Sequence, residues 1–202
     1  MSTVERHRLA QFDVSGLMER TSARLRAIDV GALERRWTHG RTLRVPYRTC
    51  HDLPEVMRVL AELAPRTAVV DVEPLVAQWN TDRRVLDAGI AAFLDRLAAD
   101  PGRIQSLVFA TNSTRRPGPL PSGGPFVRYI SHAGKPLRTD PFRGLVRPGV
   151  VVGDQIPTDG ALAWRLGLPF VHYIPEDFEV PLGPRVMRAF GHPLRRVLFR
   201  TP

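Results

Sequence analysis

The chain has 202 residues, a hydrophobic fraction of 43% and a formal net charge of +9, which suits one well-buried domain with a modest extension and excludes wholesale disorder. No apolar run approaches the ~20 residues that cross a bilayer. The polar start, residues 1–8, lacks the apolar stretch of a secretion signal, and a lone Cys50 rules out an internal disulfide and fits a reducing compartment. A cytoplasmic protein is expected, with an anionic partner such as nucleic acid, membrane headgroups or a phosphorylated substrate.

All but one of the 29 basic residues are arginine, and the exception is Lys135. A uniform arginine bias says little about any one position, whereas a solitary ammonium group marks a place where that chemistry is needed. Asparagine is almost as scarce, at Asn80 and Asn112.

In chain order, residues 1–64 read as a basic helical extension, with Val14, Leu17, Met18, Leu25 and Ile28 spaced along one helical face. The stretch from Arg35 to Arg48 reads as irregular, interrupted by Gly40 and Pro46. A helix follows from Asp52 to Ala64. Asp52 caps it, Pro54 is tolerated in its first turn and Glu55 completes a capping box. Residues 67–72 form a β-branched strand that ends on an acid. Residues 81–99 form a helix with Val85, Leu86, Ala88, Ile90, Phe93, Leu94 and Leu97 on its buried side. Strands are expected at 104–110, 126–130, 149–152 and 170–174, with a helix over 159–166 closed by Gly167. No structure is assigned to residues 181–202. Short apolar strands separated by helices or long connections predict an α/β fold with a mainly parallel sheet. The domain is placed at residues 65–178, and residues 179–202 form a basic C-terminal arm.

Polar groups gather where the strands end, the edge at which open parallel sheets bind ligands. They come in the order Asp71 with Glu73, Thr111 with Asn112, Lys135, and Asp154 with Asp159. Phosphoryl transfer through an aspartyl-phosphate needs this inventory. One carboxylate attacks phosphorus, a second acid protonates the leaving oxygen, a hydroxyl and an ammonium hold the phosphoryl oxygens, and further carboxylates bind Mg²⁺. The six histidines show no ligand spacing.

The wording of these clusters resembles the haloacid dehalogenase (HAD) superfamily, in its capless subclass IIIA, YqeG-type branch, which is similar to the mitochondrial phosphatidylglycerophosphate phosphatases. The run from Asp71 through Glu73 to Trp79-Asn80 resembles the first motif. Residues 108–113, ending Thr111-Asn112-Ser113, resemble the second, and Lys135-Pro136 the third. Residues 153–159, Gly-Asp-Gln-Ile-Pro-Thr-Asp, followed by Arg165-Leu166-Gly167, resemble the fourth. The resemblance spans about residues 67 to 175. It implies a three-layer Rossmann-like domain without a cap. It further implies Asp71 as nucleophile, Glu73 as the proton-donating acid, and Mg²⁺ bound by Asp71, Glu73 (through its backbone carbonyl) and Asp154. Thr111, Asn112 and Lys135 would bind phosphate, with Asp159 supporting from behind. The implied activity is hydrolysis of a phosphomonoester, including a bulky or lipid phosphate such as phosphatidylglycerophosphate, with peripheral contact between the arginine-rich ends and an anionic membrane.

Three departures bear on activity. Glu73 stands where the motif has aspartate, Pro74-Leu75 replace a turn with a hydroxyl, and residues 114–126 hold four prolines and three glycines in place of a helix. A catalytically impaired binding or regulatory protein of the same fold is the alternative. The arginine-rich ends carry no aromatic platform or reader motif, so nucleic acid is not an expected partner.

Overall fold

The computed structural model describes residues 44–99, 103–121, 124–175 and 180–200. Along the chain come β1 (Val45–Cys50), α1 (Leu53–Leu63), β2 (Thr67–Asp71), α2 (Arg83–Ala99), β3 (Ser106–Ala110), β4 (Phe126–Ile130) and β5 (Gly149–Gly153). A π-helical turn (Ile156–Gly160), α3 (Ala161–Leu166), β6 (Phe170–Tyr173), α4 (Leu182–Leu198) and β7 (Phe199–Arg200) follow. The strands make one sheet in the order β4-β3-β2-β5-β6-β1-β7, and every pairing is parallel.

Because strand side chains alternate, each strand feeds two cores. Val70, Phe109, Val152 and Val171 point to the face covered by α1 and α2. Val69, Val108, Val151 and Phe170 point to the face covered by α3 and the end of α4. β2, β5 and β6 are buried along their whole length, which is why they read as continuous apolar runs. In α2 the inward side is narrower than its periodicity predicts. Leu86, Ile90, Phe93 and Leu97 are buried, while Val85 and Ala88 face outward. Phe93 meets Phe109 edge-on, with ring centroids 5.6 Å apart.

The start of α1 follows its capping signal. The Asp52 carboxylate accepts from the Glu55 amide at 2.7 Å, and Glu55 reaches back to accept from the His51 amide, one residue before the cap. The helix ends at Ala64 in the left-handed conformation.

Two segments differ from expectation. The helical extension assigned to residues 1–64 lies outside the described residues up to position 43, and beyond it β1 and α1 are parts of the sheet domain. β1 inserts between β6 and β7, with Tyr47 beside Phe170 and Val45 beside Phe199. Pro46 is tolerated there because β1 pairs on that flank only with the two-residue β7. The arm assigned to residues 179–202 is ordered over 182–200 as α4 and β7. Tyr47, Phe170 and Phe199 pack with ring centroids 5.1–6.0 Å apart and tie both segments to the sheet. Gly191 brings α4 close, since a methyl group there would sit 3.0 Å from Ile156. The proline-rich connections after β3 and β4 contain no α-helix among the described residues, only a short 3₁₀ turn at Asp140–Phe142.

From β2 the chain proceeds outward through β3 and β4, then returns to build β5 and β6 on the other side of β2. The sheet therefore has its topological switch point between β2 and β5, where the strand ends open a crevice. Asp71 ends β2 and Asp154 follows β5.

Candidate functional site

Asp71, Asp154 and Asp159 come from β2, the end of β5 and the π-helical turn, and they offer carboxylate oxygens all within 4.8 Å of one another. All three are buried. Three anions so close repel strongly, and the remaining residues answer that repulsion. Lys135 Nζ stands 2.8 Å from Asp71 Oδ1, 2.6 Å from Asp159 Oδ1 and 2.8 Å from the Ala110 carbonyl. An ammonium has three protons to donate, and all three are engaged.

Asn112 sets the position of Lys135. Its amide nitrogen donates to the Lys135 carbonyl at 2.9 Å, and its amide oxygen accepts from the Lys135 amide at 2.8 Å. Both ends of the Asn112 amide are thereby committed to the loop that presents the lysine. Asp159 is held on its other oxygen by the Gln155 amide and the Thr158 hydroxyl. Gly153 makes room for it, since a Cβ there would lie 2.4 Å from the Asp159 carboxyl carbon. The wide π-helical turn and the glycine before it together deliver Asp159 behind Lys135.

Asp154 is held differently. Its backbone carbonyl accepts from His172 Nε2 at 3.0 Å, so the imidazole carries its proton there and Nδ1 accepts from the Tyr47 hydroxyl at 2.6 Å. Burial pushes the His172 pKa down to about 4, and the ring stays neutral. Asp154 Oδ2 receives Arg188 of α4 at 3.3 Å, whereas Asp154 Oδ1 is buried with no hydrogen-bond partner. An orphaned carboxylate oxygen beside two further carboxylates is what a hard cation with oxygen ligands requires. The donor set fits a divalent metal ion.

Glu73 lies on the other side of the cleft. Its Oε2 accepts from the Thr111 hydroxyl at 2.7 Å and its Oε1 from Arg115 at 2.9 Å. Arg115 also donates to the Gln78 carbonyl and the Thr81 hydroxyl, closing the loop after β2 against the loop after β3. Thr111, Ser113 and Arg115 thus form an anion cradle that Glu73 itself occupies. A cleft of about 220 Å³ opens here, lined by Asp71, Glu73, Thr111, Asn112 and Lys135 and also by Trp79, Asn80 and Pro184. A larger depression of about 400 Å³, lined by Phe142, Trp164 and Leu168, lies near the start of β5, at the strand end opposite the carboxylates.

Of the site residues read from the sequence, Asp71, Glu73, Thr111, Asn112 and Lys135 line this cleft, Asp159 stands behind Lys135, and Asp154 lines a separate small cavity with His172 and Arg188. Others join the site. Arg115, in the arginine pair close behind the Thr-Asn-Ser run, is a candidate for substrate contact by its position and closes on Glu73. Arg188 was placed among lipid-facing arginines, and it turns inward to Asp154. Tyr47 and His172 carried no signal beyond a lone histidine inside an apolar strand. Trp79, at the end of the first motif, borders the cleft.

The electrostatics yield a pH dependence. Burial raises the Asp71 pKa well above the usual carboxylate range; the nearby Asp159 adds to this and Lys135 opposes it. Burial likewise raises Asp154, to about 7, with Asp159 adding and Arg188 opposing. Burial alone would lower Lys135, but Asp159 and Asp71 outweigh it and keep its pKa above the ordinary value. A bound cation therefore competes with protons at Asp71 and Asp154. Mg²⁺ affinity is expected to climb as pH rises through about 7, with net proton release on binding. Calorimetry in buffers of different ionisation enthalpy measures that release, and affinity independent of pH would contradict the assignment of these acids as ligands.

Comparison with protein-family models, curated proteins and solved structures finds no match to this chain.

Proposed function

We propose that this chain is a Mg²⁺-dependent phosphomonoester hydrolase of the HAD type. The observation that carries this reading is the convergence of Asp71, Asp154 and Asp159 with the solitary ammonium group, Lys135, at the switch point of a parallel sheet. Asp71, Asp154 and the backbone carbonyl of Glu73 would hold the ion. When bound, it offsets charge on the phosphoryl oxygens and relieves the repulsion between the carboxylates.

The remaining steps belong to the chain. Asp71 is the nucleophile: its Oδ1 is fixed by the Val72 amide at 2.9 Å and by Lys135. Attack on phosphorus breaks the ester bond, and the leaving oxygen takes a proton from Glu73. Water then attacks the phosphorus of the aspartyl-phosphate, giving its proton back to Glu73 and restoring Asp71. Lys135 neutralises the phosphoryl charge, and Asp159 keeps the lysine ionised. Thr111 and Arg115 exchange Glu73 for phosphoryl oxygens. Short connections around the cleft favour an open, capless site and a bulky phosphate ester, lipid phosphates included. Purified protein is expected to turn over an aryl phosphate with Mg²⁺ and not with chelator. Absence of turnover across a panel of phosphate esters would overturn the reading.

One observation favours a second reading, a binding or regulatory protein of the same fold. Both Glu73 oxygens are clamped, one by Arg115 and one by Thr111, which hinders Glu73 as a proton donor and fills the anion cradle. Shortening the side chain withdraws it by about 1 Å, a displacement that can matter by about 10²-fold in rate. Glu73→Asp is therefore expected to raise turnover of an aryl phosphate about tenfold or more. If the native protein is active and this variant is slower, Glu73 is a working acid at its own length and the second reading falls.

A further inference from the structure

Of the eight large apolar side chains that the described residues leave exposed, five belong to α4: Leu182, Val186, Phe190, Leu194 and Val197. Spacings of four, four, four and three residues align them along one side of the helix. They are not a loose edge of the core, because α4 is already seated through its other side. Gly191 and Leu198 are buried against the domain, Arg188 reaches Asp154, and the Arg195 guanidinium lies 4.7 Å above the Tyr47 ring. Beside the apolar strip Arg185, His192 and Arg196 are exposed, and residues 180–200 contain no acidic side chain.

We propose that α4 is a membrane-docking helix that lies in the headgroup layer of an anionic bilayer. Its apolar strip enters the acyl boundary while its arginines meet lipid phosphates. No described helix is long and apolar enough to cross a membrane, and α4 has instead the split between apolar and cationic sides that suits lying on one. Charge complementarity selects the occupant. A second copy of α4 would bring two wholly cationic strips together, and residues 1–43 hold eight arginines against five acids, so they are no better matched. A nucleic acid would answer the arginines and leave the apolar strip in water.

The position of α4 gives docking a consequence. Pro184, in its first turn, also lines the candidate cleft. Docking therefore sets the carboxylate site beside the lipid surface, within reach of a phosphate carried on a headgroup. The proposal goes beyond the hydrolase reading and stands without it.

The test is co-sedimentation of the full chain with phosphatidylcholine vesicles made with and without phosphatidylglycerol. Binding is expected to the anionic vesicles, to weaken with salt, and to be slight on phosphatidylcholine alone. The double variant Val186→Ser, Phe190→Ser should lower partitioning by at least about tenfold. Arg185→Gln with Arg196→Gln should lower it by about thirty-fold, since each basic residue contributes about fivefold near such a surface. All four positions are exposed, so the melting temperature should hold. Failure to bind anionic vesicles would overturn the proposal, as would binding indifferent to Val186 and Phe190. So would a change of oligomeric state in the apolar variant without vesicle affinity, or RNA retention lost in the arginine variant without vesicle affinity. Turnover of a soluble aryl phosphate by the apolar variant should equal the parent's, which separates failure of docking from failure of the hydrolase reading.

Discussion

Replacing Asp71 with asparagine is expected to lower turnover of an aryl phosphate by at least about 10⁴-fold, the scale on which loss of a covalent nucleophile is felt. The same change should leave the metal-free protein more stable than the parent. Asparagine keeps an oxygen to accept from the Val72 amide and Lys135, so the local hydrogen bonds survive. What disappears is one of three buried negative charges. Burial and Asp159 already push the Asp71 pKa up, so ionising it in the folded state is unfavourable without a further cation. The gain should appear as a melting temperature higher by a few degrees at alkaline pH without Mg²⁺, at about 2–4 °C per kcal/mol for a chain of this size. Stabilisation by added Mg²⁺ should shrink in parallel. Undiminished turnover would place the nucleophile elsewhere. A melting temperature that falls, with Mg²⁺ stabilisation unchanged, would show that Asp71 is a structural acid.

Lys135→Met acts in the opposite direction. Methionine keeps the apolar stem and removes a charge that meets two carboxylates and a carbonyl. Breaking a buried ion pair from one side typically costs about 3–5 kcal/mol, because the partner charge is left uncompensated. Here Asp71 and Asp159 are both left so. Mg²⁺ should return part of the loss by supplying positive charge to the cluster, a rescue visible in chemical denaturation with and without the ion. Activity should fall even where stability is restored. Lys135→Arg is expected to fail as a substitute, since a planar fork cannot enter a space shaped for a compact ammonium. Stability unaffected by Lys135→Met would mean that the ion pairs carry no weight.

Much of the sheet domain was legible because its signals are local. The Asp52 cap, the acid at the end of β2, the apolar strands at 106–110, 126–130 and 149–153, and the left-handed Gly167 after α3 all lie in single short segments. The exposed Val85 and Ala88 show the limit of periodicity. It gives the face that could be buried, while the neighbouring strands decide how wide the buried stripe becomes. Segments with mixed signals were missed. Val45–Cys50 sets the adjacent Arg48 and Thr49 among apolar residues and contains Pro46, and it is a strand because β6 and β7 supply its partners. Helix α4 contains two glycines and two prolines, which lower its local propensity. It is helical because one side packs on the π-helical turn and the sheet.

Taken by itself, the order of residues determined which chemical groups this protein carries at its strand ends: acids at 71, 73, 154 and 159, a hydroxyl at 111 and one ammonium at 135. Only the tertiary structure decided their partners. It gave the Asn112 amide to the Lys135 backbone, Glu73 to Thr111 and Arg115, Asp154 to Arg188 and Asp159 to Lys135. The reason is physical. Capping, turns and strand alternation act over a few residues, whereas a salt bridge between positions 34 apart exists only once the sheet has brought them together.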